Sequence, residues 1–254
     1  MFTHTVLDMR TTQRYLAEEL LATVPIQRGE HQGVKKPDPN TATYELANVV
    51  LKYSPSADIE TEMEKLDPDL PWAEHHFLER VSGKPLNPAP SYVDWPWHGA
   101  AKDKHIDQGV FDHTYPERYW PKHAVMKSMP LTGIRFEYGD LADVVTQLIK
   151  SPFTRQAYLP MWFPEDTGAT QGQRVPCTLG YHFIRNGPRL DCNYFIRACD
   201  LTRHFKNDVY MTVRLMQWVT QQVKTWEEYP LVGNLTMFIS NLHILQGDAW
   251  RYQS

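Results

Sequence analysis

The sequence predicts an α+β fold, because helix-periodic and strand-periodic stretches are mixed along it without strict βα alternation. Two stretches carry most of that expectation. Residues 139–150 (GDLADVVTQLIK) gather their apolar positions on one helical face. Residues 175–184 and 189–195 alternate apolar and polar side chains and are joined through Asn186-Gly187, a dipeptide suited to the positive φ angles of a tight hairpin turn.

The other elements follow in chain order. Residues 11–23 repeat apolar side chains at helical spacing (Tyr15, Leu16, Leu20, Leu21) and predict a helix. Residues 27–40 are polar and interrupted by Gly29, Gly33, Pro37 and Pro39, which predicts a loop. Residues 41–53, rich in Val, Leu and Tyr, predict a strand, and residues 71–81 a helix with Trp72 and Phe77 facing inward. Residues 82–121 are dense in Pro, His and Trp; little regular structure is expected there, and so long an irregular span points to function. After the 139–150 helix the chain turns at Pro152 into a strand over 156–163. Residues 208–223 are apolar on nearly all sides and predict a long buried helix, and residues 235–245 a last strand. No internal repeat or low-complexity tract is present.

Composition narrows the function classes. The 254 residues, 42% hydrophobic, are enough for a sizeable core in one domain or two. Lys and Arg number 26 against 30 Asp and Glu, a net charge of -4, so no basic excess exists to neutralise a nucleic-acid backbone. A small anionic ligand remains compatible, since a pocket needs only a few well-placed arginines. The odd count of three cysteines, Cys177, Cys192 and Cys199, argues for a reducing compartment. Residues 1–10 lack the apolar core of a signal peptide, and no run of 18 apolar residues predicts a membrane span. A soluble, cytoplasmic protein is expected. Neither a glycine-rich phosphate loop nor a paired CxxC occurs, and the 11 histidines, including adjacent His75 and His76, lack metal-ligand spacing. No metal is expected.

The informative stretch is VPCTLGYHFIRNGPRLDCNYFIRACDLTRHFKND, residues 175–208. Pro176-Cys177, then Arg197-Ala198-Cys199-Asp200, then Asp208 stand in the order and spacing of the thymidylate synthase family, whose centre is a Pro-Cys nucleophile, a hairpin, an Arg-Ser-x-Asp motif and an Asn. Downstream, GNLTMFISNLH (233–243) is similar to the family's later strand; upstream, GDLADVVTQLIKSPFTRQAYLPMW resembles the helix, turn and strand before the nucleophile. The resemblance covers about residues 130–248 well and the N-terminal half loosely. It implies a single thymidylate synthase-like domain over 1–254, a three-layer fold with a large twisted mixed β-sheet and flanking helices, forming a homodimer back to back through that sheet.

The same resemblance implies roles. Cys177, expected on a strand, would add as a thiolate to C6 of a pyrimidine nucleotide and so activate C5 toward 5,10-methylenetetrahydrofolate. Cationic neighbours favour a thiolate, and Arg155 and Arg197 are the candidates; Cys192 and Cys199 read as packing residues. Arg197 would bind the phosphate in its own subunit and Arg155 that of the partner. Gln156 replaces the second arginine of the family's pair. Arg28 is a candidate third phosphate ligand, or an ordinary solvated arginine. Ala198 stands where a serine contacts phosphate. His243 would meet the sugar, with Leu245 in place of a tyrosine, which leaves ribose against deoxyribose open. Asp200 would bind the pterin of the folate. Glu74 would relay protons to the base, or be a solvated helix carboxylate; Tyr115 resembles the family's active-site tyrosine. Trp95 and Trp97 would wall the folate site or pack a lid.

Asp208 bears on the base. An Asn offers one donor and one acceptor and matches uracil. A carboxyl accepts from the 4-amino group of cytosine and donates to N3 when protonated, or pairs with N3–H⁺ when ionised. Phe205-Lys206-Asn207-Asp208 also resembles the matching run of phage deoxycytidylate hydroxymethylases. Asp208 can equally be the N-cap of the following helix. The chain ends at AWRYQS without the family's usual closing tail, which favours water as the final reactant and a hydroxymethyl product. The reading is a hydroxymethylase of dCMP or CMP, with a methylase of (d)CMP or dUMP, or a non-catalytic nucleotide binder, as alternatives. Its partners would be a nucleotide monophosphate and folate, with no nucleic-acid polymer and no membrane.

Overall fold

Strand alternation and one-sided helices resolve into one large sheet with helices packed on it. The computed structural model describes residues 2–28, 39–97, 106–107, 109–124, 139–167, 174–223 and 230–253. In chain order the first half holds β1 (Phe2–Thr5), α1 (Met9–Leu21), β2 (Thr43–Tyr53), α2 (Ile59–Leu66), α3 (Trp72–Arg80), the short pair β3 (Ile106–Asp107) and β4 (Val110–Phe111), and α4 (Tyr115–Tyr119). The second half holds α5 (Leu141–Lys150), β5 (Tyr158–Pro160), α6 (Pro164–Thr167), β6 (Thr178–Asn186), β7 (Arg189–Ile196), β8 (Cys199–Asp200), α7 (Phe205–Gln222) and β9 (Leu231–Leu245). The main sheet has seven strands in the order β1-β2-β9-β7-β6-β5, with β8 also beside β9. It is mixed: β1/β2, β7/β9 and β8/β9 are parallel, and β2/β9, β6/β7 and β5/β6 antiparallel. The α+β expectation and its large mixed sheet with flanking helices hold.

The hairpin forms one position later than the Asn186-Gly187 signal: Asn186 ends β6 paired with Arg189, and Gly187-Pro188 make the two-residue turn, with Gly187 at φ +58°, a conformation that costs a glycine little. Gly233 serves close approach instead: a Cβ there would lie 2.6 Å from the Leu190 backbone, where parallel β7 and β9 shift register. Helix α7 is mostly enclosed, which is why apolar residues recur on nearly all its sides. Val209, Val213, Leu215, Met216 and Val219 are buried between the sheet and helices α2 and α3, each worth roughly 1.5–3 kcal/mol of burial.

Several boundaries differ from expectation. The strand expected over 156–163 is only β5, because Pro160 has no N–H to continue the ladder. The strand expected from 175 begins at Thr178, leaving Cys177 in the bend before β6. Strand β9 begins at Leu231 rather than 235. Residues 82–121 are more regular than their composition suggests: Thr114 and Glu117 form a reciprocal capping box that starts α4. Most of the loop expected over 27–40, and part of the 82–121 span, lie outside the described residues.

Candidate functional site

The hairpin sets Cys177 against Arg197. Thr178 pairs with Ile196, so the next residue out on each strand also meets: the Arg197 N–H donates to the Cys177 carbonyl at 2.9 Å. The Arg197 side chain folds back along the segment before the cysteine. Its Nε donates to Pro176 O at 2.9 Å, and its Nη2 to Val175 O at 3.2 Å while lying 3.9 Å from Cys177 Sγ. The backbone thus holds a cation beside the sulfur. Burial nevertheless outweighs Arg197 and Arg174, and Asp208 and Asp200 oppose them, so the thiol lies above its ordinary pKa. The expectation that positive neighbours would lower it is corrected: desolvation is the larger effect.

Asp208 reaches the same place from α7. It is inside the helix, its N–H donating to His204 O at 2.8 Å, and His204 occupies the cap position; the N-cap reading of Asp208 is therefore corrected. Cys199 Sγ donates to Asp208 Oδ2 at 3.8 Å. Burial pushes the Asp208 carboxyl up to about 7, against the buried Arg80 guanidinium and the Cys199 contact, which hold it down. Near neutral pH this carboxyl is therefore available in both forms. The Asp208 carboxyl acts on the Cys177 thiol, and both residues remain partly exposed.

Tyr115, first residue of α4, completes this wall. Its hydroxyl meets Thr178 Oγ1 at 3.1 Å, and Thr178 Oγ1 meets Tyr194 OH at 2.9 Å, a chain running beside Cys177. Burial pushes the Tyr115 phenol up to about 12, with Arg80 opposing. Trp95 stacks on His204 at 5.8 Å and tilts on Trp72 at 6.4 Å, and Trp72 stacks on His76 at 5.3 Å. Burial lowers both His76 and His204 to about 4, so both rings are neutral at physiological pH. The Trp95 indole N–H is buried without a partner among the described residues. Trp97 lies under Arg203 and Arg251.

Asp200 sits in a tight turn, its Oδ1 accepting the N–H groups of Thr202 at 2.9 Å and Arg203 at 3.1 Å. Across the β8/β9 pair it is opposite His243, whose Nδ1 meets Asn241 Oδ1 at 3.2 Å. Ala198 is half-buried between Arg197 and Cys199. Arg28 is held by Glu45, its Nε donating to Oε1 at 3.0 Å, and Asn241 donates to the same carboxylate at 2.7 Å. The pairing holds Glu45 down at about 2.

Two candidates fall elsewhere. Glu74 is gripped by Arg214, Nη2 to Oε1 at 2.7 Å and Nε to Oε2 at 3.0 Å, and by Tyr210 OH at 2.7 Å. Tyr210 is about 200° around α7 from Asp208, so Glu74 serves the opposite face of that helix. Arg155 is exposed beside β5, its carbonyl meeting His182. Sequence reading missed His76, Arg80 and Tyr194, and read Cys199 only as packing. For α3 a signal existed: Trp72, His76 and Arg80 are spaced i, i+4, i+8 and share one face, whereas Glu74 lies on the other.

The model of one protein family, thymidylate synthase, matches residues 97–249, which span Tyr115, Cys177, Arg197, Asp200, Asp208 and His243. No curated protein matches the chain.

Proposed function

Because the chain belongs to the thymidylate synthase family, folate-dependent one-carbon transferases acting at C5 of pyrimidine nucleotides, we propose that it is a cytosine-nucleotide 5-hydroxymethylase taking dCMP or CMP. The observation that carries this reading is the grouping of two partly exposed side chains, Cys177 and Asp208, near enough for the carboxyl to act on the thiol, with Arg197 held at 3.9 Å from the sulfur. Cys177 adds as a thiolate to C6, moving electron density to C5. C5 bonds to the methylene carbon of the folate, the C5 proton leaves as the CH₂–N bond to tetrahydrofolate breaks, water adds to the exocyclic methylene and gives up a proton, and the thiolate departs from C6 as the C5–C6 double bond is restored. Asp208 recognises the base edge: a carboxyl poised near 7 accepts from the 4-amino group and either donates to N3 or balances N3–H⁺.

Arg197 and Arg28 are phosphate ligands in this reading, Arg28 after leaving Glu45, and His243 meets the sugar. 5,10-Methylenetetrahydrofolate supplies a carbon at the formaldehyde oxidation level. Trp95 and Asp200 suit it: Trp95 offers an aromatic face and a buried N–H with no partner among the described residues, and Asp200 its Oδ2, 3.8 Å from Arg203 Nε, while Oδ1 holds the turn. The resemblance of residues 205–208 to phage hydroxymethylases favours water over hydride as the last reactant. A homodimer belongs to the same reading. The exposed Arg155 lies near an apolar strip of Phe153, Tyr158 and Phe238, with Phe238 stacked on Phe195 at 5.0 Å. Pairing of two sheets there would carry Arg155 to the partner's phosphate. The required free thiol implies a reducing, cytoplasmic setting.

The test is turnover with CMP, dCMP, UMP and dUMP, reading product mass. A gain of one CH₂O on a cytosine nucleotide, with tetrahydrofolate and no dihydrofolate released, is expected; a CH₂ gain with dihydrofolate means a methylase. A binder without turnover is favoured by the raised Cys177 thiol and the Glu45 hold on Arg28. It predicts no release of tritium from C5 of any pyrimidine nucleotide.

A further inference from the structure

Water that adds to the exocyclic methylene must lose a proton, and helix α3 holds a histidine that the reaction above leaves without a task. His76 stands between the two halves of the site. Its ring stacks on Trp72 at 5.3 Å and 17°, and Trp72 adjoins Trp95 at 6.4 Å. It also meets the Tyr115 ring edge-on at 6.4 Å and 77°, and the Tyr115 hydroxyl reaches Thr178, the neighbour of Cys177. Nδ1 is committed on the other side: it lies 3.4 Å from Glu79 Oε2 and 3.3 Å from the hydroxyl of the buried Ser91. Both contacts are long, as catalytic hydrogen bonds often are before substrate binds. Ser91 gives its hydroxyl proton to the same Oε2 at 2.6 Å, and its N–H to Glu79 Oε1. Burial would raise the Glu79 carboxyl, but the His76 and Ser91 contacts outweigh it and keep Glu79 ionised at neutral pH. An ionised carboxylate only accepts, so Nδ1 carries the ring proton and Nε2 the lone pair. Nε2 has no partner among the described residues, and the side chain keeps 16% exposure, which leaves water a way in.

We propose that His76 is the catalytic base of the water step, its Nε2 taking the proton that water releases as its oxygen bonds to the exocyclic methylene carbon. The proposal rests on the hydroxymethylase reading above. An oxygen lone pair forms the C–O bond, the methylene π pair moves into the ring as the C5–C6 double bond, and the C6–S pair leaves with Cys177. The imidazolium so formed faces the Glu79 carboxylate through Nδ1–H. Burial and Arg80 both disfavour the charged ring, so the proton passes on to solvent and the neutral base is restored. Glu79 and Ser91 orient the ring. A methylase would have no use for this base, because hydride arrives without a proton to remove.

The experiment follows His76→Gln through one turnover of the cytosine nucleotide, with two readouts. Tritium leaving C5 reports the steps before water, and hydroxymethyl product, read by mass, reports the water step. H76Q is expected to release tritium within a few-fold of the wild-type rate and to form product about 100-fold more slowly or worse, the usual loss on removing a general base. With 2-mercaptoethanol present, the stranded methylene should appear as its thioether. Product at the wild-type rate overturns the proposal, and so does a parallel loss of tritium release and product, the mark of a packing role. A wild type that releases tritium from no nucleotide sinks the hydroxymethylase reading and the base with it; an active wild type with an unaffected H76Q removes His76 alone. Should H76Q not fold, ¹⁵N NMR of the wild type at pH 7 decides without substrate. A neutral His76 ring protonated on Nδ1 is expected, and a ring protonated on Nε2 overturns the proposal.

Discussion

The Cys199 thiol points at the Asp208 carboxyl, Sγ to Oδ2 at 3.8 Å, joining strand β8 to the first turn of α7 at the cleft. A donor to the ionised form favours it, so Cys199→Val is expected to move Asp208 above its value near 7. The midpoint of a ¹³C NMR titration of that carboxyl checks this. The same group links stability to pH. Its folded value lies above the ordinary aspartate value of 3.8, so the stability held by the protonated form is full below 3.8 and is lost as pH rises through about 7. Asp208→Asn removes that loss. The melting-temperature advantage of D208N over wild type should widen from pH 5 to pH 8, by several degrees at the upper end. In the nucleotide assay the same variant should shift preference from cytosine toward uracil.

Cys177 should react slowly with iodoacetamide at pH 7, because burial holds the thiol protonated, and faster as pH rises above 9. Arg197→Met removes the cation 3.9 Å from the sulfur and should slow alkylation further at every pH below that range. Alkylation rates across pH, read by mass spectrometry, check both. A Cys177→Ser protein should release no tritium from C5 of the nucleotide while retaining nucleotide binding.

Glu74 binds Arg214 and Tyr210 on the face of α7 opposite Asp208. Glu74→Gln is therefore expected to act on stability, costing about 1–3 kcal/mol through its charge-assisted hydrogen bonds. Its kcat should stay within a few-fold of wild type. A loss of C5 exchange comparable to that of C177S, with the fold intact, would return Glu74 to the chemistry.

Arg118 and Asp166 form a fully buried bidentate pair at 2.6 and 2.8 Å, and Asp166 also accepts the Phe163 N–H at 2.7 Å. The pair ties α4, and with it Tyr115, to α6. Arg118→Met leaves a buried carboxylate without its cation and should cost about 3–5 kcal/mol. Denaturant melts check this. A double variant, Arg118→Met with Asp166→Leu, should recover part of the loss.

The sequence by itself determined the local elements and the order of the chemical groups. The hairpin around Gly187, the one-sided α5 and the buried α7 are properties of residues close along the chain, where period and turn chemistry act directly. The run from Cys177 to Asp208 was equally legible, since hairpin geometry alone brings Arg197 back to Cys177. Only the tertiary structure decided which helix face meets which. Periodicity puts Glu74 and Arg80 on different faces of α3 but cannot say which face turns to the cleft; that depends on packing against α7, more than a hundred residues further along the chain. It also decided the charge states. Cys177 and Asp208 are set by desolvation set against a few neighbouring charges, and burial is a property of the assembled chain rather than of any stretch of it.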